Sequence, residues 1–371
     1  LADHLCATPS MKRSLMILLW PLGIVALFVV LLLAYFAFAP RIGSNPTGAR
    51  LERITASPNY RDGKFQNVVE TNMDMPLGTM VGVLWEFIKG AEGREPKDTI
   101  PTVDLDLAAW KAVPDSSFAV AWFGHSSLLI KMGGITFLVD PVFSGNASPI
   151  PGSLKSFPGT NDYQAEDMPP IDYLVITHDH WDHLDYKTIR QLKQKTSMVI
   201  CGLGVAEHFK AWGWDKDRIV ERNWNNSVVL APGFRITLTP ARHFSGRGFK
   251  RNVSLWTSYV LQTPSMKIFI GGDSGYGPHF KTIGEQFGPF DLAILECGQY
   301  NKNWPYIHST PEEVVQEASD LRAAQFLPVH HSKFKLAQHP WYEPVERLKE
   351  ITGGRGMVVG RIGEKIKLVS S

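Results

Sequence analysis

Hydrophobic positions in this chain fall into one long run near the N-terminus and many short runs after it. Residues 15–39 carry no charged side chain, and about 25 apolar residues in a helix span a bilayer with some tilt. Lys12 and Arg13 precede this run, and Arg41 follows it. We therefore expect a single-pass membrane anchor over residues 15–39, preceded by an N-terminal tail over residues 1–14.

A cleaved signal peptide is the alternative interpretation of this run. Residues 37–39, Ala-Phe-Ala, resemble a cleavage site, but Pro40 follows them and the run is longer than the apolar region of a signal peptide. An uncleaved anchor and a membrane location are therefore our prediction. Basic residues stand on both sides of the run, so the sequence leaves open which side of the membrane the rest of the chain occupies. Met11 is a candidate initiator, which would make residues 1–10 an upstream extension.

After the anchor, the pattern predicts a linker and then a domain of alternating strands and helices. Residues 40–115 are rich in Pro, Gly and charge, and we interpret them as a linker and a packed arm, with a short helix over Met80–Ile88. Residues 116–371 form the expected folded domain. Its strands and helices occur in two similar halves, which predicts two sheets packed face to face with helices outside. The last element that we expect is a β pair over Met357–Leu368.

Composition excludes some functions. The 371 residues include 38 basic and 36 acidic side chains, for a net charge of +2, and a nucleic-acid binder would show a larger basic excess. We therefore expect no nucleic-acid partner. The three cysteines, Cys6, Cys201 and Cys297, form no CxxC pair, so neither a zinc ribbon nor a disulfide scaffold is indicated.

The strongest chemical signal follows the predicted strand Tyr173–Thr177. The next six residues, 178–183, read HDHWDH. Imidazole and carboxylate groups are good ligands for a metal such as zinc. Side chains alternate along extended backbone, so His178 and His180 point the same way, while Asp182 and His183 begin the next turn. One segment could thus serve two metals about 3.5–4 Å apart. The alternative is a solvated polar loop.

Further candidate ligands stand where later predicted strands end. His243 follows the strand Arg235–Thr239, Asp273 follows Lys267–Ile270, and His330 comes directly after Gln325–Val329. Strand ends are the usual positions of site residues in layered α/β folds. Each of these three residues alone could be structural, but together with the HDHWDH segment they predict one metal centre.

The motif HxHxDH, followed by a later His, Asp and His, resembles the metallo-β-lactamase superfamily. The resemblance implies an α/β (α+β) fold, a four-layer αβ/βα sandwich, here with an N-terminal transmembrane helix. It also implies two divalent metal ions, with Zn²⁺ as the expected metal, although the ligand types also suit manganese or iron. By position in the motif, His178, His180 and His243 match the ligands of the first metal. Asp182, His183 and His330 match the ligands of the second metal, and Asp273 matches the bridging carboxylate.

Several flanking segments resemble one branch more closely, the N-acyl-phosphatidylethanolamine-hydrolysing phospholipase D and its bacterial relatives. These segments include SPNYRDGKFQN (57–67), FLVDPVFSGNASP (137–149), ITHDHWDHLD (176–185), TPARHFSGRG (239–248) and GGDSGYGPHF (271–280). The likeness covers roughly residues 55–350. The branch implies a phospholipid or other phosphodiester substrate, contact with a membrane, and a homodimer as an allowed assembly. The N-terminal anchor departs from the peripheral membrane association of the animal enzyme.

The resemblance also suggests roles for residues around the ligands. In the implied mechanism a metal-bridging hydroxide attacks the substrate, and Asp182 and His308 are the predicted catalytic residues. An exposed or structural role for His308 stays open. We expect His125 and Asp140 to hold ligand side chains in place. Basic residues near the third histidine could grip a phosphate or form a solvated loop; the two that we expect to bind substrate are Arg242 and Arg247.

Two other functions remain as alternatives. A metal-dependent hydrolase of lactones, thioesters or β-lactams would use the same ligand set. A non-catalytic anchored binding protein could keep the metal for stability. Replacement of Asp182 by Asn separates an enzyme from such a protein, because an enzyme should lose turnover while it stays folded.

Overall fold

The computed structural model describes residues 9–73, 75–366 and 368. Most of the expected tail lies outside these residues, as does Cys6. The helices are α1 (Pro9–Phe38), α2 (Gly48–Thr55), α3 (Leu77–Lys89), α4 (Leu107–Lys111), α5 (Tyr186–Leu192), α6 (Ala206–Ala211), α7 (His279–Phe287), α8 (Pro311–Asp320) and α9 (Glu343–Thr352). The strands are β1 (Tyr60–Arg61), β2 (Lys64–Phe65), β3 (Ala119–Trp122), β4 (Leu128–Met132), β5 (Ile135–Val139), β6 (Ile171–Ile176), β7 (Thr196–Gly202), β8 (Ile219–Arg222), β9 (Ser227–Ala231), β10 (Phe234–Thr239), β11 (Ser258–Gln262), β12 (Lys267–Ile270), β13 (Phe290–Glu296), β14 (Ala323–Val329) and β15 (Lys365–Ile366).

Two sheets form the centre of the domain. The first has seven strands in the order β15-β3-β4-β5-β6-β7-β8, and the second has six in the order β14-β13-β12-β11-β10-β9. Each sheet begins with antiparallel neighbours along the chain and continues with parallel ones, β5 to β8 in the first and β12 to β14 in the second. The chain thus builds two similar halves, as the hydrophobic pattern predicts.

Alternation along the inner strands explains the layers. In β12 and β13, Ile268, Ile270, Leu292 and Ile294 belong to the core shared by the two sheets. The residues between them face the other way and pack against the outer helices, since side chains alternate along a strand. The core on that outer side contains Phe269, Ala293 and Leu295 from the strands and Phe280, Ile283, Val314, Leu321 and Leu348 from the α7–α9 region. The four-layer αβ/βα arrangement expected from the sequence is confirmed.

The C-terminal prediction is wrong in its pairing. We expected Met357–Leu368 to form a β pair of its own. Instead, β15 pairs antiparallel with β3 at the edge of the first sheet, while Met357 makes an isolated bridge to Phe326 of the second sheet. The two ends of this segment therefore join different sheets.

The N-terminal helix is long and apolar enough to cross a membrane. Within α1, Trp20–Phe38 has a mean hydropathy of 2.6, and none of this stretch is buried. Its C-terminal end touches the domain: the Tyr35 hydroxyl donates to the Pro149 carbonyl over 2.5 Å, and the rings of Phe36 and Phe249 lie 5.2 Å apart. These two contacts define where the C-terminal end of α1 lies on the domain.

Candidate metal centre

Three histidines form the first group of donor atoms. His178 and His180 follow β6 directly, and His243 comes from the loop after β10. The Nδ1 atom of His180 lies 2.9 Å from His178 Nε2 and 3.2 Å from His243 Nε2. Burial lowers the pKa of all three imidazoles below the ordinary value. Neutral rings with nitrogen atoms turned to one point are what a metal ion requires.

A second group lies beside the first and contains Asp182, His183, His330 and Asp273. His183 Nε2 is 3.5 Å from Asp182 Oδ2 and 3.1 Å from Asp273 Oδ2. His330 Nδ1 is 3.2 Å from Asp273 Oδ1. The Oδ2 atom of Asp273 also lies 3.8 Å from His178 Nε2 and 3.7 Å from His243 Nε2. Asp273 therefore stands between the two groups.

The buried donors in this cluster are not satisfied by one another. Among the described residues, His183 Nε2 and Asp273 Oδ1 are buried atoms without a hydrogen-bond partner. Neighbouring donor atoms lie close to them, but the angles do not allow a hydrogen bond. Because an unpaired buried polar atom is costly, and because the donors are nitrogen and carboxylate oxygen, this cluster fits bound metal ions.

Asp140 and His125 each contact one of the ligand candidates. Asp140 accepts hydrogen bonds from the Thr177 backbone and hydroxyl, and its Oδ2 lies 2.8 Å from His183 Nδ1. This contact leaves Nε2 of His183 for the cluster. His125 Nε2 lies 2.8 Å from Asp182 Oδ2. Both residues, like His330, have a positive φ, at 41°, 53° and 67°, a strained backbone that is common at functional sites.

Both donor groups contribute side chains to the lining of a cavity of about 340 Å³. Six candidate site residues reach it, namely His180, Asp182, His243, Asp273, His308 and His330. Its walls combine apolar and polar side chains: Met73, Met75, Phe244, Trp304, Tyr306, Ile307 and Leu336 with Asn72, Arg251, Gln299 and Asn303. A mainly apolar cavity with a few convergent polar groups is typical of a site for an organic ligand.

Comparison with known proteins now identifies the family. A family model described as "Beta-lactamase superfamily domain" matches residues 136–331. The chain belongs to the metallo-β-lactamase superfamily. An uncharacterised protein of Mycobacterium tuberculosis is 40% identical over 299 residues, 79% of each chain. An N-acyl-phosphatidylethanolamine-hydrolyzing phospholipase D of Caenorhabditis elegans is 30% identical over 259 residues, covering 65% of this chain and 71% of the worm protein.

A solved structure supports the same fold. Igni18, a metallo hydrolase from the archaeon Ignicoccus hospitalis, aligns with a TM-score of 0.53 at 21% identity, over 67% of this chain and 97% of its own. The predicted superfamily and fold are confirmed, and the relatives include the branch that the sequence segments resemble. The protein is a metal-dependent hydrolase of the metallo-β-lactamase superfamily.

Glu296 is a site residue that the sequence did not reveal. His308 Nδ1 lies 3.3 Å from Glu296 Oε1, which also accepts from the Ser309 backbone over 2.9 Å. Burial raises the pKa of Glu296 to about 7. The ring of His308 stacks on His330, with centroids 5.1 Å apart and planes at 18°. In the sequence Glu296 merely ends an apolar strand, and that strand-end position, shared with other site residues, was the signal that could have found it.

The structure brings neither arginine that we expected to bind substrate to the cavity. Arg247 is buried and donates to the carbonyls of Asp179, Leu184 and Arg41 over 2.7–2.9 Å. Arg242 donates to the Thr71 hydroxyl and the Tyr276 carbonyl. Both guanidinium groups serve to hold loops together.

Arg251, from the same segment of the chain, lines the cavity instead and is exposed. The sequence could not rank these arginines, because only the course of the loop decides which side chain reaches the cavity.

The segment after α1, residues 40–44, contacts the loop that carries His178 and His180. We call residues 40–44 the connector and residues 178–183 the metal loop. The Pro40 carbonyl accepts from Trp212 Nε1 over 2.8 Å, and the Ser44 amide donates to His208 Nδ1 over 3.2 Å. The other nitrogen of His208 lies 3.1 Å from Asp179 Oδ2, between the ligand candidates His178 and His180. His208 therefore joins the connector to Asp179.

Proposed function

We propose that this protein is a membrane-anchored phosphodiesterase that uses two metal ions. Its proposed substrate is N-acyl-phosphatidylethanolamine or a closely similar phospholipid. The observation that carries the proposal is the pair of donor groups sharing Asp273 in the lining of a cavity whose walls are apolar apart from Arg251 and three amide side chains. The kinship with a worm phospholipase D supports the substrate. The apolar helix α1 supports the anchor.

The distances support the ligand sets that the motif implies. His178, His180 and His243 would hold one ion, and Asp182, His183 and His330 the other, with the Asp273 carboxylate between them. These nitrogen and oxygen donors suit Zn²⁺. When bound, two such ions polarise the phosphoryl oxygen and lower the pKa of a water molecule towards neutrality.

The residues around the ions would orient the substrate and move protons. The water oxygen forms a bond to phosphorus while the bond from phosphorus to the N-acylethanolamine oxygen breaks. His308 lines the cavity, and its Nδ1 is occupied by Glu296, so Nε2 is free to give a proton to the leaving oxygen. Asp182 also lines the cavity and would orient the attacking water. Arg251 would pair with the phosphate.

A substrate panel tests this function. Full-length protein in detergent, supplied with Zn²⁺, is assayed with N-acyl-phosphatidylethanolamine in mixed micelles, and phosphatidic acid and N-acylethanolamine are measured by mass spectrometry. We expect both products in equal amounts. Lactones, thioesters and a β-lactam are assayed in parallel. Turnover of any of these without phosphodiester cleavage would establish the alternative hydrolase instead.

A paired substitution separates an enzyme from a binding protein. Asp182→Asn should lower the turnover number by at least 100-fold while the far-ultraviolet circular dichroism spectrum is unchanged, because the residue is both a ligand candidate and a cavity group. Asp98→Asn changes the same chemistry at an exposed position and should leave turnover unchanged. If both variants retain full activity, the proposed centre is not the site of reaction.

A further inference from the structure

The helix α3 presents a continuous apolar face to its surroundings. Its outward side chains occur at the i, i+3, i+4, i+7 spacing of a single helical stripe. They are between 53% and 77% exposed and carry no charge: Leu77, Met80, Val81, Leu84, Trp85 and Ile88. We expected this apolar stretch to be part of a packed arm, but its apolar stripe faces away from the domain.

The orientation of α3 is fixed by its other side. Val83 and Phe87 are partly buried there, and the Phe87 ring lies under the guanidinium of Arg94, 4.7 Å from its centre. Arg94 is itself buried and donates through Nε to the Ala337 carbonyl over 2.8 Å. The apolar stripe is therefore held outward by a contact with the domain. An apolar patch of this kind on a soluble surface is rare without a partner.

The position of α3 suggests what the partner is. Met73 and Met75 line the cavity, and α3 begins two residues later at Leu77. Phe244 and Arg251 also line the cavity. The loop between these two residues carries the exposed Phe249, whose ring contacts Phe36 at the end of α1. Two apolar surface elements thus flank one cavity, and one of them adjoins the helix able to cross a membrane.

The charges around these elements fit the same surface. The stripe of α3 is free of charge, and the helix ends with Lys89. Lys250 and Arg251 are exposed beside Phe249. Helices that lie in a membrane interface combine an apolar face containing Trp or Leu with flanking basic residues, which attract anionic headgroups.

We propose that α3 lies in the headgroup region of the bilayer with its apolar stripe among the acyl chains, so that the cavity opens onto the lipid surface. The bilayer is favoured over a second copy of the chain because α1, the candidate span, ends against the loop between Phe244 and Arg251, two residues that line the same cavity. The helix is then a docking element that presents membrane lipid to the site. The binding part of this proposal is independent of the reaction; only its kinetic part rests on the proposed function.

Lipid contact is tested in the full-length protein reconstituted into phosphatidylcholine–phosphatidylglycerol vesicles. With Cys6 replaced by Ser, a fluorescent NBD probe is attached at Trp85→Cys or, as the matched control, at Asp98→Cys. Cys201 and Cys297 are buried and should not react in the folded protein. We expect spin-labelled acyl chains to quench the probe at position 85 at least three-fold more than the probe at position 98.

Two results of this measurement would overturn the proposal. Equal quenching at both positions would place α3 in water. Efficient crosslinking between copies through Cys at position 85, without quenching by lipid, would make the stripe a contact between two chains.

A kinetic measurement tests the delivery of lipid. The double variant Leu84→Glu/Trp85→Glu should raise the KM for vesicle substrate at least 10-fold and leave turnover of the soluble ester bis-p-nitrophenyl phosphate within two-fold. Val229→Glu, at an exposed apolar position on β9, is the matched control and should change neither. If the double variant keeps the wild-type KM on vesicles, α3 does not deliver lipid. If no phosphodiester is cleaved by the wild type, the proposed function fails, while the quenching experiment still decides where α3 lies.

Discussion

The pair formed by His308 and Glu296 shows how a single buried side chain can define the chemistry of a neighbour. The carboxylate lies at the end of β13 with its Oε1 on His308 Nδ1. Burial lowers the pKa of His308, but the carboxylates of Glu296, Asp273 and Asp182 together outweigh burial and raise the pKa overall. The raised pKa favours the protonated imidazole, the form that can donate to a leaving group.

Substitution of Glu296 by Gln should therefore slow the reaction selectively. The amide keeps the shape but loses the charge, and we expect a fall of about 10–100-fold in kcat on N-acyl-phosphatidylethanolamine. A p-nitrophenyl ester needs little protonation as it leaves, so kcat on that substrate should fall much less. Steady-state kinetics on both substrates provide the comparison. Glu285→Gln, at an exposed position on α7, is the control. Equal losses on the two substrates would contradict the role of the pair.

Lys333 offers a test of pH-dependent stability. Its side chain is fully buried, with Nζ 3.1 Å from the Phe123 carbonyl, and burial lowers its pKa to about 7. The unfolded chain holds this proton up to a pH of about 10.4. Between these values the unfolded state binds more protons, so stability should rise as the pH increases from 7 towards 10.

Lys333→Met should remove this dependence. The variant avoids the cost of a buried charge, so it should be more stable than the wild type near pH 7, by up to about 4 kcal/mol. Its advantage should shrink as the pH approaches 10. Thermal unfolding at pH 7, 8.5 and 10 measures the difference. A gap between the two melting temperatures that does not narrow with rising pH would show that Lys333 is charged in the folded protein.

At the scale of elements, the connector joins α1 to the metal loop. Gly43 in the connector has a φ of 77°, and a Cβ there would lie 2.2 Å from His208 Nδ1. Gly48, at the start of α2, also has a positive φ, of 54°, but nothing lies within 4 Å of its Cβ position. An alanine at position 43 would therefore cause both backbone strain and a collision with His208, whereas an alanine at position 48 would cause backbone strain alone.

We expect Gly43→Ala to weaken metal binding. The methyl group would push His208 away from Asp179 and thereby disturb the loop that carries His178 and His180. Zinc affinity, measured by competition with a chromophoric chelator, should fall at least five-fold. Gly48→Ala should cost about 1 kcal/mol of stability and leave the affinity unchanged. Equal zinc affinities for the two variants would mean that the connector does not influence metal binding.

Elements with a strong hydrophobic period could be predicted from the sequence, and those defined by their neighbours could not. The strands β4, β5, β12 and β13 are nearly continuous apolar runs because layers cover both of their faces, so they are visible without a structure. The stripe of α3 has the same helical period as a packed helix, and no local pattern tells whether protein or something else covers it. The two-residue β15 is too short for a pattern, so its partner strand depends on the tertiary fold alone.

The candidate site divides in the same way. The seven ligand candidates could be named because their residue types are rare in such density and follow buried strands. Their distances now support that assignment. Glu296 ends a buried strand, but that position alone did not single it out. Arg251 could not be ranked above the other two arginines of its loop, because no local pattern decides which side chain reaches the cavity.

For the whole molecule, the metal centre joins the two sheets. The segment from His178 to His183 follows β6 of the first sheet, whereas His243, Asp273 and His330 follow strands of the second sheet. Metal ions bound to this set would crosslink the halves of the domain. A ligand that binds only the folded state stabilises it by about 2.7 kcal/mol at a concentration 100 times its Kd.

Removal of metal should therefore destabilise the entire domain. We expect dialysis against a chelator to lower the melting temperature by several degrees, and re-addition of Zn²⁺ to restore it. Asp273→Asn, which alters the carboxylate between the two groups, should abolish most of this response. Differential scanning calorimetry with and without metal measures the shift. Identical melting temperatures in both conditions would show that ions do not bridge the sheets.

The division of ligands between the two halves also has a consequence for biosynthesis. The first four donors, within residues 178–183, leave the ribosome together, but His330 follows only 147 residues after His183. A nascent chain therefore cannot close both ion sites until His330 has emerged. If α1 is the anchor that we propose, the growing polypeptide is already attached to the bilayer by then. Maturation with zinc would be a late event, carried out beside the membrane by whatever ion pool that compartment offers.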